Sequence, residues 1–222
     1  MRPAMKVTRI AALLRQAYGP KRQQRRRDNP LDSLIYTLLL QNTSDLNSQR
    51  AYASLRRRFP SWEDVHRASL RELIGALRTG GLATMNAVRI KALLDEIWRD
   101  QGHFDLSFLR DLSDEEVEAY LGRFKGIGSK TVACVLLFGL GRAAFPVDTH
   151  VFRVSRRLGL LNGRPTPEKA QEFLEPRIPP GDRYALHLHL VEHGRQVCKA
   201  RRPQCSDCVL GKLCDYVRRQ ER

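Results

Sequence analysis

Apolar residues return every three or four positions along most of the chain, and no convincing run shows the period-two alternation of a strand. Val7, Ile10, Leu14 and Ala17 form one such stripe, closed by Gly19 and Pro20. Glycine supplies the left-handed turn that ends a helix, and proline cannot continue it. Asn29 and Pro30 then offer a cap and a first-turn proline to a helix carrying Leu31, Leu34, Ile35 and Leu38. Ser69 with Glu72, and Ser113 with Glu116, have the S-x-x-E spacing in which each side chain satisfies the other residue's amide. Thr166 before Pro167, and Asp182 after Pro179, Pro180 and Gly181, mark two more helix starts. The pattern predicts an all-α chain.

With 222 residues the chain can bury one sizeable core or two smaller ones. No internal repeat or low-complexity linker divides it, so any domain boundary is set by contacts rather than composition. Its charge changes the picture. Against 24 Asp and Glu stand 39 Lys and Arg, a net +15, and the commonest partner for such a surface is nucleic acid. The plainer alternative is a basic surface that only keeps the protein soluble. The run KRQQRRR, Lys21 to Arg27, reads as a solvated stretch able to touch phosphate but not to read a base. The longest apolar run, Val132 to Leu140, is too short to span a bilayer. The amino terminus lacks the apolar core and cleavage site of a signal peptide. The expectation is a cytoplasmic monomer with no membrane partner.

In a reducing compartment the five cysteines should not pair as disulfides. Cys134 lies alone on an apolar helix face and reads as core. Cys198, Cys205, Cys208 and Cys214 crowd together as C-x6-C-x2-C-x5-C. Spacing alone allows zinc or an iron–sulfur cluster, although only Cys205 and Cys208 form the close pair that zinc sites tend to use twice. Lys199, Arg201 and Arg202 make this loop basic and suit it to lie against phosphate. His187, His189 and His193 do not make a second metal site, because an i,i+2 pair points to different helix faces. Only His189 and His193 can align, and capping, packing or DNA contact accounts for them.

The candidate chemistry lies in FKGIGSKTVACVLLFG, residues 124 to 139. Ser113 to Arg123 reads as a helix, Gly126-Ile127-Gly128 as a tight turn, and Ser129 to Leu140 as a second helix. The glycines permit positive φ and close backbone approach. The helix start beyond them presents unpaired N–H groups and a positive dipole, which suit a phosphate without sequence preference. Lys130 sits in that first turn. Dipole and partial burial both push its ammonium toward the free amine, a nucleophile able to form a Schiff base with a sugar carbon. Its alternative role is a phosphate contact. Asp148, in AAFPVDTHVFRVSRRLGL, stands where an N-cap would be. A capping carboxylate aimed into a cleft stays ionised, and could take a proton from Lys130 or stabilise positive charge on a sugar.

Three segments together, FKGIGSKTVACVLLFG, then VDTHVFRVSRRLGL with its aspartate eighteen residues after Lys130, then HGRQVC and the four-cysteine loop, resemble the endonuclease III family. These are bifunctional DNA glycosylases of the helix–hairpin–helix superfamily, and the resemblance runs from about Leu31 to Tyr216. It implies Lys130 as nucleophile, Asp148 as catalytic carboxylate and the four cysteines as ligands of a [4Fe–4S] cluster. It also implies a six-helix barrel, residues 32–142, holding the hairpin, and a second helical domain built from 1–31 and 143–222. A cleft between the two would admit a flipped nucleotide. The implied activity removes oxidised or damaged pyrimidines from duplex DNA and cuts 3′ to the abasic site by β-elimination. Gly126, Gly128, Lys125, Gln41, Asn42, Leu82 and Arg201 are the implied DNA contacts.

The chain departs from the family at three places. Lys125 replaces the usual proline before the hairpin glycine. Asn42, in LLLQNTSD, stands where a glutamine usually fills the hole left by the flipped base. GGLATMNAVRIK keeps Leu82 of a second wedge loop but lacks the Tyr-Asn pair common after it. Two rival readings are a monofunctional glycosylase acting on mismatched adenine, thymine or uracil, and a noncatalytic iron–sulfur DNA-binding protein. Relatives of the first kind generally lack a lysine at the Lys130 position, and the second leaves Lys130 and Asp148 idle.

Overall fold

The computed structural model describes residues 3–23, 29–41, 43–163 and 165–220, and every regular element among them is helical. In chain order the α-helices are α1 (Pro3–Tyr18), α2 (Pro30–Leu39), α3 (Asp45–Arg58), α4 (Trp62–Arg67), α5 (Leu70–Leu77) and α6 (Ala83–Gln101). There follow α7 (Asp114–Gly122), α8 (Ser129–Cys134), α9 (Thr149–Arg157), α10 (Pro167–Leu174), α11 (Pro180–Gln196) and α12 (Asp215–Gln220). They fall into two compact units, residues 26–140 and residues 1–25 with 141–222. The first is called here the hairpin unit and the second the cysteine-loop unit. No helix among the described residues is long and apolar enough to cross a membrane.

In the hairpin unit the caps form where the sequence places them. Asn29 Oδ1 accepts from Leu31 N at 3.1 Å, and it also accepts from Leu106 N at 3.1 Å, so one cap fastens the segment after α6 to the start of α2. Both S-x-x-E boxes close, at α5 and α7. A third box, Ser61 with Asp64, opens α4 with the shorter acid. Leu31, Leu34, Ile35, Leu55, Leu73, Leu94 and Leu121 are fully buried, one apolar face from each of five helices. α5 packs on α6, α3 on α5, α7 on α8, and α2 on α8.

The expected helix from Ser129 to Leu140 changes its winding. It is α only to Cys134, and Val135–Gly139 is a π turn closed by Leu140 N donating to Val135 O at 2.9 Å. The wider turn seats Gly139 on α2, where an added Cβ would come within 3.0 Å of Ser33.

In the cysteine-loop unit α11 packs against both α1 and α9, and α10 against α9. Val7, Ile10 and Leu14 are buried as the stripe predicts, but Ala17 is exposed. At 3.6 residues per turn, Tyr18 lies closer than Ala17 to the direction of Leu14, and it continues the face. Its hydroxyl is 2.8 Å from His193 Nδ1. The three histidines of α11 are buried packing residues: His187 Nδ1 donates to Pro146 O at 2.9 Å and His189 Nε2 to Gly19 O at 2.8 Å. Burial holds His193 down at about 4, so it is neutral at physiological pH. Of the basic run, Lys21 pairs with Glu192 at 2.9 Å, and Gln24 to Arg27 lie outside the described residues.

Candidate active site and cysteine loop

The turn before Lys130 is assembled from its own neighbours. Phe124 N donates to Leu121 O at 3.2 Å and Ile127 N to Phe124 O at 3.1 Å, while Phe124 and Ile127 plug the core. Gly126 takes a φ of +85°, which only glycine adopts freely. Gly128 does not need that freedom: at φ −100° and ψ 176° it is ordinary extended backbone. A Cβ added at either position would meet nothing within 4 Å, so the outer surface of the turn is open to a ligand rather than to another part of the chain. Gly128 O takes Thr131 N at 2.8 Å and Val132 N at 3.1 Å, which starts α8. The amides of Ser129 and Lys130, first in α8, have no helical carbonyl behind them to bond. Lys125 is exposed at the turn, Lys130 is half-buried on the first turn of α8, and neither forms an ion pair among the described residues.

Next to Lys130, buried Thr131 ties the helix to a second loop. Gln41 Nε2 donates to Thr131 Oγ1 at 3.3 Å, and Arg89 Nη1 on α6 donates to Gln41 Oε1 at 2.9 Å. Gln41 is therefore engaged at both ends of its amide, and Arg89, which no sequence motif singles out, holds it. Asn42 lies outside the described residues. Beyond it Thr43 Oγ1 donates to Gly80 O at 3.2 Å, joining this loop to the one that carries Leu82.

Leu82 has a φ of 53°, a left-handed conformation that costs a side chain about 1–2 kcal/mol. It is also 42% exposed, with Met85 and Val88 exposed on the same face of α6. Core packing does not account for an apolar side chain held outward on a left-handed backbone.

Asp148 belongs to the other unit. Its Oδ1 accepts from Val151 N at 2.7 Å, so the capping reading holds, and Oδ2 makes no hydrogen bond among the described residues. The carboxylate is half-buried at the end of a segment, residues 141–148, with no regular structure.

From Asp148, α9 runs to the cysteines. Arg153 Nε donates to Cys198 O at 2.9 Å and its Nη2 to Gly194 O at 2.7 Å. Arg157 Nη1 reaches Lys199 O at 2.7 Å and Cys198 Sγ at 3.3 Å, its Nη2 reaches Ala200 O at 3.1 Å, and its guanidinium stacks over Tyr216. Cys214 Sγ in turn donates to Arg157 O at 3.3 Å. The two arginines are one helical turn apart, and the only signal for them in the sequence was that spacing. Arg201 is exposed.

Cys198, Cys208 and Cys214 border the same buried core, and none of the five cysteines is in a disulfide. Burial raises the Cys208 thiol first, the backbone of Leu210 pulls it partly back, and the neighbouring Cys214, Cys198 and Cys205 raise it further. Among the described residues no three Cys, His, Asp or Glu side chains close around a point where a single metal ion would sit. Cys134 is buried core, as expected.

Comparison with known proteins places this arrangement. Residues 35–180 match the family described as HhH-GPD superfamily base excision DNA repair protein. A candidate DNA glycosylase of Arabidopsis thaliana is 41% identical over 86% of this chain and 68% of its own length. Endonuclease III of Sulfolobus acidocaldarius is 31% identical, over 85% of this chain and 82% of its own length. The DEMETER transcriptional activator of Arabidopsis is 36% identical over 70% of this chain, but that match spans only 9% of DEMETER. Among solved structures, a non-covalent endonuclease III–DNA complex superposes with a TM-score of 0.83 at 25% identity, covering 100% of this chain and 99% of the other. A thermostable thymine-DNA glycosylase, 21% identical, shares the fold with a TM-score of 0.78 over 97% of this chain and 98% of its own.

Proposed function

The chain belongs to the HhH-GPD superfamily of base excision DNA repair proteins and is a DNA glycosylase, and from that premise we propose that it is bifunctional, excising damaged pyrimidines from duplex DNA and then cutting the strand at the abasic site. The observation that carries this reading is Lys130, half-buried at the start of α8 behind an open glycine turn and engaged by no acidic partner among the described residues. A monofunctional hydrolase has no use for an amine there. The ROS1 protein of Arabidopsis, 32% identical over 70% of this chain, is named a DNA glycosylase/AP lyase and supports the same reading.

The amides and dipole at the start of α8, with Lys125, grip a phosphate, and Leu82 occupies the space that a flipped base vacates. The Lys130 amine attacks C1′, forming a C–N bond as the glycosidic bond breaks and the base departs with its electron pair and a proton. The sugar ring opens to a Schiff base. Loss of a C2′ proton then expels the 3′ phosphate, and water releases the lysine. Asp148 is assigned two roles, accepting the proton of the attacking amine and balancing positive charge on the sugar.

Cys198, Cys205, Cys208 and Cys214 would hold a [4Fe–4S] cluster. Four thiols in one loop, three of them bordering one buried core and none in a disulfide, suit a cluster held by cysteine thiolates. What it supplies when bound is a crosslink that fixes the basic loop against α9.

Borohydride trapping on a duplex with an abasic site tests the proposal. The parent should form a covalent protein–DNA adduct and Lys130→Ala none, with duplex affinity retained. Strand cleavage by Lys130→Ala at the parental rate overturns it. A panel of thymine glycol, dihydropyrimidine and uracil duplexes then ranks the substrates.

A further inference from the structure

Residues 143–147 reach Asp148 without helix or sheet, yet Ala144, Phe145, Pro146 and Val147 are all buried. A buried segment of that kind must find partners for its backbone groups, because each one left unpaired costs about 1–3 kcal/mol. It finds them in three side chains that are distant in sequence. Arg183 Nη1 donates to Ala143 O, Glu175 Oε2 accepts from Phe145 N at 3.1 Å, and His187 Nδ1 donates to Pro146 O at 2.9 Å. Arg183 and Glu175 also bond each other at 3.3 Å, and Arg183 Nε fixes Ile178 O at 3.1 Å. The His187 ring meets Phe145 edge-on, with centroids 6.2 Å apart. Three backbone groups between Ala143 and Pro146 are thus pinned, and two residues further on Asp148 accepts from Val151 N.

Resting on the reading of Asp148 as the catalytic carboxylate, we propose that Glu175, Arg183 and His187 form a clamp whose function is to position Asp148. None of the three touches the reacting atoms. Each holds a backbone atom within five residues of the carboxylate, so releasing one lets the cap shift while the helices stay folded. A misplacement of about 1 Å at a reacting group costs on the order of a hundredfold in rate, and side chains that lock a functional residue are what prevent it. The Glu175–Arg183 pair lies toward the surface, with side-chain exposures of 30% and 14%, and can be altered without opening the core.

Single-turnover excision at saturating enzyme tests the clamp, on whichever duplex of the substrate panel the parent processes fastest. Glu175→Ala and His187→Leu should each slow excision by about ten- to a hundredfold with duplex affinity close to parental, while the thermal midpoint falls only by the several degrees expected for one orphaned backbone group and unfolding stays cooperative. Hydrogen exchange at the Phe145 amide should rise in Glu175→Ala. Glu175→Gln keeps an acceptor for Phe145 N, and His187→Asn keeps a donor near the Nδ1 position, so both should recover most of the rate. In an Asp148→Asn background Glu175→Ala should add almost nothing, since there is no longer a carboxylate to misplace. Parental rates in Glu175→Ala despite a faster-exchanging Phe145 amide, or equal fold-losses with and without Asp148, overturn the clamp. Parental excision by Asp148→Asn alone overturns the reading of Asp148 beneath it, and that result is distinct from either.

Discussion

The turn before Lys130 spans four residues and is closed by bonds between residues three apart, with one glycine at positive φ. The segment before Asp148 is of similar length, and its partners lie 30, 40 and 41 residues away. Both lead to a half-buried candidate side chain at the start of a helix. They differ in what keeps that side chain in place. The hairpin is a local conformation that the chain adopts once α7 and α8 form, whereas the aspartate segment keeps its shape only while α10 and α11 are docked. Damage to the cysteine-loop unit should therefore reach Asp148, and damage of the same size to the hairpin unit should stay near where it was made.

The largest effect expected from this difference comes from the cysteines. If they hold iron, Cys208→Ser removes a constraint worth several kcal/mol and loosens the loop that Arg153 and Arg157 fasten to α9. The purified parent should be yellow-brown, with iron and sulfide. The variant should be colourless and lose amide protection in α9 and α11 while the hairpin unit keeps its own. Equal loss of protection in both units would break the comparison, and stoichiometric zinc in the anaerobically purified parent would remove its premise.

The same contrast decides what could be read from the sequence. Helix caps, the hairpin and the candidate residues Lys130, Asp148 and the cysteines announce themselves through spacings of a few residues, because the contacts behind them are that short. Ser69–Glu72, Ser113–Glu116 and Asn29 formed as their spacing demands. Arg89, Glu175 and Arg183 carry no such sign. Each looks like any polar residue on a helix surface until a distant carbonyl or amide arrives beside it. The error at Ala17 has the same root, since a stripe fixes a helix face only to within one residue and the partner, here α11, chooses between neighbours. Winding is subtler still: the π turn at Val135–Gly139 ends where Gly139 lies too close to Ser33 to carry a side chain freely, a contact no local spacing announces.

A smaller effect separates the two glycines of the hairpin. Gly126→Ala forces a side chain into φ +85° and should cost about 1–2 kcal/mol, read as a lower denaturant midpoint with an unchanged slope. Gly128→Ala meets no backbone strain and no neighbour within 4 Å, so its cost should stay within about 0.5 kcal/mol. If the turn serves phosphate binding, Gly128→Ala still weakens duplex binding, because the added methyl occupies the open surface. Equal stability losses at the two positions would mean that the turn is not held locally.

The smallest expected effect is in pH, and it too falls on one unit. Burial holds His189 below the ordinary imidazole range, outweighing the carbonyl of Gly19 that it bonds, and burial likewise lowers His150 despite the nearby charge of Asp148. For a base whose folded pKa is depressed, the unfolded chain takes up the proton first. Stability is then undiminished above the unfolded value near 6.5 and falls as the pH drops below it, until the folded form protonates as well. The hairpin unit has no buried histidine among its described residues, since His66 is half-exposed and His103 exposed. Amide exchange followed from pH 7.5 to pH 5 should show α11 and α9 losing protection before α2 and α8. His189→Gln keeps a donor for Gly19 O without a titrating group, so it should flatten part of that decline while leaving stability at pH 7.5 nearly unchanged. Parallel acid sensitivity in the two units, or a His189→Gln profile identical to the parent, would show that the decline has another source, and that the long-range bonding of the cysteine-loop unit does not make it the more fragile half in acid.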